Sequence, residues 1–197
     1  MGIKQKLGLG VASAALGLAL VGGGTYAYFS DSVDTSASFA AGTLDLNAAP
    51  TEIINVGNIK PGDTMLRSFK LLNNGTLDIA TIDLATDYTV TDANNNNSED
   101  LGKHIRVNFL WNIDKVDEPI FSTTLADLKN MAPDVIEGNI FSAWLGERGG
   151  KLAAGTNDTL LVQYEFVDTG SEQNEFQGDS LSLKWTFEGK QGDGVAK

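Results

Sequence analysis

The sequence contains no cysteine and a single histidine in 197 residues. Without cysteine the chain can form neither disulfides nor thiolate metal sites, so its stability has to come from packing and hydrogen bonds. One imidazole excludes a His-Glu-x-x-His zinc helix and any other site with two histidine ligands. The sequence also lacks a G-x-S-x-G turn, a phosphate-binding loop and a dinucleotide fingerprint, so it carries none of these common enzyme motifs.

Positive charge is scarce as well. Lysine and arginine number 14 against 26 acidic residues, which gives a formal net charge of −12. This balance argues against binding nucleic acid or an anionic membrane surface through a broad basic patch. Acidic residues are abundant enough to supply the paired carboxylates of a glycoside hydrolase, but no pattern singles out a pair.

The longest hydrophobic run lies at the N-terminus. Lys4 and Lys6 precede an apolar stretch over residues 7–21, which is the order of charge and hydrophobicity of an export signal. The alternative is an uncleaved anchor, because the run is close to the ~20 apolar residues that a membrane-spanning helix needs. The three glycines at positions 22–24 weaken a helix at that point and favour cleavage.

Small residues mark the expected cleavage site. Thr25 and Ala27 suit the −3 and −1 positions of a signal peptidase site. We therefore expect residues 1–27 to be a signal peptide and Tyr28 to begin a secreted protein, found in the extracellular matrix or at the cell surface. Loss of the two lysines takes the formal charge from −12 to −14, and the remaining chain suits one domain.

Alternation of apolar and polar residues predicts an all-β protein. The pattern is clearest over residues 181–188, 105–111 and 160–167, where every second residue is large and apolar. Weaker candidates are residues 43–47, 52–56, 65–72 and 77–90, the last broken near Ala80. Turn-forming sequences at 60–63, 73–76 and 177–179 separate the candidates. Many short strands with regular turns predict an antiparallel β-sandwich.

One helix interrupts the predicted strands. Residues 124–131 contain a capping-box pair, Thr124 and Asp127, and apolar residues at helical spacing, and Pro133 is expected to stop the helix. The sequence therefore predicts a short helical insertion in the sandwich.

Two features could hold a cation, and neither matches a known site well. The asparagine-rich stretch 92–100 has oxygen ligands at alternate positions, but an EF-hand loop needs glycine at Asn97 and glutamate at Lys103. We expect a solvated loop there. His104 stands alone at the start of a predicted strand, so we expect it to be structural or exposed.

The segment 28–41, directly after the expected cleavage site, alternates too. Its odd positions form one face, whose predicted interface residues are Phe29, Val33, Thr35, Ala37, Phe39 and Ala41, whereas its even positions are Ser, Asp or Ala up to Ala40. The segment could be the first strand of its own sheet, or a loose tail. It could also be a donor strand that completes the sheet of a neighbouring subunit and so builds a head-to-tail fibre.

The energy of such docking is finely balanced. Burying Phe29, Val33 and Phe39 contributes about 5–8 kcal/mol, and about ten ladder hydrogen bonds add roughly 1 kcal/mol each. Ordering about a dozen residues costs about 1–2 kcal/mol apiece. The near-zero sum predicts slow, nucleated assembly that needs a preformed groove.

Five ordered motifs resemble the TasA/camelysin (CalY) family of secreted biofilm-matrix fibre proteins. They are TYAYFSD at 25–31, FAAGTLDL at 39–46, IKPGD at 59–63, NNGTL at 73–77 and GDSLSL at 178–183. The resemblance covers most of the mature chain. It implies a jelly-roll protein that polymerises into extracellular fibres, is processed by a signal peptidase and is nucleated by an accessory partner. It also implies a second function that conflicts with the structural role, because the camelysin branch is described as a casein-cleaving zinc metallopeptidase.

These observations lead to one preferred function and two alternatives. We expect a structural subunit that polymerises with itself through the segment 28–41, with residues 42–197 as the β-sandwich domain and with no cofactor. The enzyme alternative is a surface zinc metalloendopeptidase that would have to use His104 with nearby acidic residues. The third is an adhesin, for which the acidic loops offer no specific residues. In each case we expect no nucleic-acid partner, and membrane contact only through an uncleaved signal.

Overall fold

A computed structural model of the chain describes residues 30–32, 43–49, 54–57 and 59–193. The predicted signal peptide lies outside these ranges. In the described part no helix is long and apolar enough to cross a membrane. The strands are β1 (Ser30–Ser32), β2 (Leu46–Ala49), β3 (Ile54–Gly57), β4 (Thr64–Asn73), β5 (Thr81–Thr91), β6 (Ile105–Leu110), β7 (Phe121–Thr124), β8 (Asn157–Phe166) and β9 (Ser180–Lys190).

The described strands form two sheets, and all their pairings are antiparallel. One sheet has the order β2-β4-β8-β6-β7, and the other is built around β9, which pairs with β5, β3 and β1. The sheets face each other across one core: the Trp185 ring of β9 lies 5.1 Å from Phe69 of β4 and 5.6 Å from Phe109 of β6, between ring centroids. The predicted antiparallel sandwich is confirmed, while its jelly-roll connectivity stays a prediction.

The segments with the clearest alternation of apolar and polar residues form the central strands. Buried and less buried residues alternate along β8 and β9, because each strand turns one face to the core and the other to solvent. The predicted break near Ala80 is present as well. Ile79 forms an isolated bridge with Leu152, and the regular strand begins at Thr81. The first weak candidate, residues 43–47, is shifted along the chain, since β2 runs from Leu46 to Ala49.

The helical insertion is longer than the sequence predicted. Helix α1 (Leu125–Asn130) has the expected Thr124 cap, whose hydroxyl accepts a hydrogen bond from the Asp127 amide at 3.0 Å. The helix ends before Pro133, as expected. Pro133 is also the first residue of a second helical stretch that the sequence did not predict, because proline fits the first turn, where its missing N–H has no partner to lose.

That second stretch covers residues 133–146. It consists of α2 (Pro133–Ile136), a π-helical turn (Glu137–Phe141) and α3 (Ser142–Gly146). Its buried residues recur at helical spacing and are Ile136, Ile140, Phe141, Trp144 and Leu145. That spacing was the signal from which the stretch could have been predicted.

Candidate assembly site

Strand β9 presents two very different edges. On one side β5 pairs with its whole length, from Ser180 to Lys190. On the other side two short strands share the edge: β3 pairs with residues 180–183, and β1 pairs with residues 188–190. Between them, residues 184–187 have no strand partner on that side within the described ranges. Unpaired backbone N–H and C=O groups of this kind are a template for another strand.

The core face beside this gap is large and apolar. Four β9 side chains point into the sandwich and are buried, namely Leu181, Leu183, Trp185 and Phe187. The rings of Trp185 and Phe187 lie 6.1 Å apart, edge to face. A strand added along the gap would therefore set alternate side chains against an existing aromatic cluster.

Strand β5, in contrast, contacts the helical insertion. Helix α2 and the π-helical turn pack against β5, and Lys129 of α1 forms an ion pair with Asp87 of β5 at 2.8 Å. Within the described ranges, the side of β9 that carries β1 and β3 is its incompletely paired side.

The described chain resumes at Thr43, where the predicted donor segment ends, and there it is held by the turn 73–77. The amides of Thr76 and Leu77 donate to the Thr43 carbonyl at 2.8 and 3.3 Å, and the Thr76 hydroxyl accepts from the Thr43 amide at 3.0 Å. The Asn74 amide donates to the Asp45 carbonyl at 2.8 Å. We call residues 43–45 and 73–77 the root clamp, because together they fix the point from which the N-terminal segment leaves the sandwich.

Asn73 organises the root clamp. Its side chain is completely buried; the amide nitrogen donates to the carbonyls of Leu77 at 2.8 Å and Leu152 at 3.0 Å, and the amide oxygen accepts from the Gly75 amide at 3.0 Å. A Cβ atom at Gly75 would collide with the Thr43 carbonyl oxygen, so only glycine allows this close approach. From the sequence, both residues were predicted only to be part of a turn.

All six predicted interface residues lie outside the described part of the chain. This applies to Phe29, Val33, Thr35, Ala37, Phe39 and Ala41, and also to the cleavage-site residues Thr25, Ala27 and Tyr28. What the structure adds is the position of β1 within the same segment. Its register sets Ser30 opposite Lys190, Asp31 opposite Gly189 and Ser32 opposite Glu188.

His104 lies at the other end of β9, inside a small packed cluster. Its ring centroid is 4.7 Å from that of Phe176, its Nδ1 is 3.3 Å from Nε2 of Gln173, and its Nε2 is 3.4 Å from a carboxylate oxygen of Glu99. Its side chain is 17% exposed. These contacts fit the predicted structural role.

The neighbouring asparagine-rich loop turns its carboxylates toward protein donors. Asp92 accepts the amides of Asn94 and Asn97 at 3.1 and 3.0 Å, and these backbone hydrogen bonds, chiefly that of Asn97, lower the pKa of Asp92. Glu175 accepts both the hydroxyl and the amide of Ser98 at 2.6 Å, and these bonds lower the pKa of Glu175. The loop is thereby tied to the segment that precedes β9.

Two comparisons place the chain among known proteins. The profile of the family described as camelysin metallo-endopeptidase matches residues 2–196. A protein of Bacillus subtilis (strain 168) named "Major biofilm matrix component" is 35% identical over 236 aligned residues, which cover 99% of this chain and 90% of the relative.

The family description implies a catalytic metal, and the residues that the structure describes do not fit one. Among them, no group of three or more histidine, cysteine, aspartate or glutamate side chains could hold a metal ion. The two ring nitrogens of His104 face Gln173 and Glu99. A zinc hydrolase site normally needs three protein ligands and an open position for water.

Proposed function

This chain belongs to the TasA/camelysin family, and from that premise we propose that it is a secreted structural subunit of an extracellular matrix fibre, assembled through its N-terminal segment. The observation that carries the proposal is the stretch 184–187 of β9, which has no strand partner on one side within the described ranges and lies next to β1 of the same segment. The relative named as a biofilm matrix component supports the matrix role. Every contact between neighbouring subunits along the fibre would be the same, since each subunit offers one donor strand and one acceptor edge.

Register supports the docking of this segment in the gap. If a strand continued from β1 in the same register, Val33 would fall opposite Phe187 and Thr35 opposite Trp185. Residues directly opposite in an antiparallel pair share a face of the sheet. The apolar face predicted from the sequence would therefore meet the buried face of β9, and the polar positions Asp34 and Ser36 would point outward.

Strand exchange explains how a folded monomer could become a polymer. In the single chain, β1 pairs with its own β9. In the fibre, the same strand would pair with β9 of the next subunit, so that contacts are exchanged between copies. Such an exchange gains little energy per subunit until the full segment docks, which fits nucleated growth and a role for an accessory nucleating partner. Signal peptidase cleavage before Tyr28 would free the strand.

The enzyme alternative rests on the description of the matching family. His104 is the only histidine in the sequence, and its packed surroundings offer no three-ligand set within the described residues. We therefore keep casein cleavage as an outcome to be measured alongside assembly.

The proposal predicts that a charge on the apolar face of the segment stops fibre growth. Val33→Asp should reduce elongation of the protein starting at Tyr28 at least about 100-fold, because an unpaired carboxylate opposite Phe187 loses its hydration on docking. Ser36→Asp is the matched control: it adds the same charge on the outward face, opposite Lys184, and should elongate normally. Negative-stain electron microscopy measures both.

The same samples should be tested for casein cleavage with and without chelator. Equal loss of fibres in both variants, or normal fibres from Val33→Asp, would contradict docking through the odd face. Chelator-sensitive casein cleavage by preparations that form no fibres would support the peptidase instead.

A further inference from the structure

We infer that β3 is a displaceable strand, and that residues 37–40 of a neighbouring subunit replace it on β9, with Phe39 over an apolar cavity between the sheets. This inference rests on the proposed function and adds the step that controls docking. The free subunit would block part of its own acceptor edge, and release of β3 would open it.

The two strands need the same backbone groups. In the register of β1, the segment would reach Leu183 at Ala37 and Leu181 at Phe39. Strand β3 already occupies these positions, since Ile54 lies opposite Leu183 and Val56 opposite Leu181. The opposite edge of β9 belongs to β5 along its whole length. Each strand edge pairs with a single neighbour, so β3 and residues 37–40 exclude each other.

Strand β3 is anchored on both sides by its neighbours in the chain. Before it, β2 pairs with β4 in the opposite sheet. After it, the turn 60–63 is fixed to the end of β8, where the Gly62 amide donates to the Phe166 carbonyl at 2.7 Å and the Phe166 amide donates to the Asp63 carbonyl at 2.9 Å. Between these anchors, the described strand pairing of β3 consists of four residue pairs with β9. Such a short edge strand can leave without unfolding either sheet.

An apolar cavity lies under the part of β9 that β3 covers. Its described lining is Ile59, Met65, Ile105, Leu125, Tyr164, Leu181 and Leu183. Because Phe39 would stand opposite Leu181, its ring would sit at this cavity. Phe39 is the largest residue of the segment's second half. Opposite Leu181 the exchange would replace Val56 by the larger Phe39, and opposite Leu183 it would replace Ile54 by Ala37.

A disulfide that ties β3 to β9, which we call the β3 lock, tests the inference reversibly. Because the sequence has no native cysteine, the introduced pair is the only one that can form a disulfide within the chain. The double variant Asn55→Cys/Ser182→Cys joins two residues that are directly opposite, within the reach of a disulfide. The matched control Thr89→Cys/Ser182→Cys locks β5 to the same β9 residue. Elongation from preformed wild-type seeds is followed by electron microscopy and light scattering, with each protein oxidised and then reduced.

The inference predicts that the oxidised β3 lock elongates at least about ten-fold more slowly than its reduced form, whereas oxidation leaves the β5 control within about two-fold. Equal elongation of the oxidised and reduced β3 lock, with fibres present, would overturn the displacement of β3 and leave the proposed function intact. If neither the wild type nor the β5 control forms fibres in either redox state, the proposed function itself is overturned.

Discussion

A chain that starts at Ala40 should fold, remain monomeric and stop fibre growth at one end. It lacks the donor segment through Phe39 but keeps the acceptor edge of β9. In the described fold only β1 is lost, and its three residue pairs contribute a few hydrogen bonds of about 1 kcal/mol each, offset by the cost of ordering them. The free energy of unfolding should therefore change by less than about 2 kcal/mol.

Its effect on full-length protein follows from the head-to-tail arrangement. A truncated subunit can accept the free donor strand at a fibre end, but it offers no strand to the next subunit. Fluorescently labelled seeds viewed by light microscopy should lose growth at that end at substoichiometric amounts of truncated chain. Fibres formed by the truncated chain alone would contradict donor-strand assembly, and circular dichroism controls for its fold.

Replacing Asn73 should destabilise the sandwich far more than replacing Asn74, its neighbour in the turn. Asn73→Ala leaves the Gly75 amide and the carbonyls of Leu77 and Leu152 without their buried partner. Each unpaired buried group costs about 1–3 kcal/mol, so we expect a total loss of about 3–5 kcal/mol in the free energy of unfolding. Urea denaturation followed by tryptophan fluorescence measures it.

Asn74→Ala is the matched control for that experiment. The side chain of Asn74 is exposed, and its contribution to the root clamp comes from the backbone amide, which alanine retains. Its effect should stay within about 0.5 kcal/mol. If the two substitutions cost the same, the buried hydrogen bonds of Asn73 do not hold the turn as described.

Strands with one buried face could be predicted from the sequence, and short edge elements could not. In β9 every second residue is apolar and buried from Leu181 to Phe187, so period-two alternation was sufficient. Strand β7 has four residues, Phe121–Thr124, and no such alternation. Its position is set by its pairing with β6, which is a tertiary contact and leaves no local sequence pattern.

The root clamp shows the same limit at the level of single residues. Asn73 and Gly75 have the composition of a turn, and that much of the prediction was correct. The side chain of Asn73 also reaches Leu152, 79 residues later in the chain, and no local pattern reveals such a contact. The alternation of residues 28–41 was visible in the sequence, whereas the β9 edge that could receive it appeared only in the fold.

The most direct test of the central claim is a cross-link between two subunits in the fibre. In the register of β1, Ser36 of one subunit would lie opposite Lys184 of the next. We would mix the single variants Ser36→Cys and Lys184→Cys, assemble them, oxidise mildly and analyse dimers by gel electrophoresis and mass spectrometry. Because each chain carries one cysteine, a disulfide joining residues 36 and 184 must be intermolecular.

The account predicts this disulfide in fibres and its absence from unassembled protein. A mixture of Ser36→Cys with Ser182→Cys, displaced by two residues along β9, should give much less of the mixed dimer, since the two Cα atoms would be out of register. Fibres that form from the first mixture without a link between residues 36 and 184 would contradict assembly through the N-terminal segment on β9.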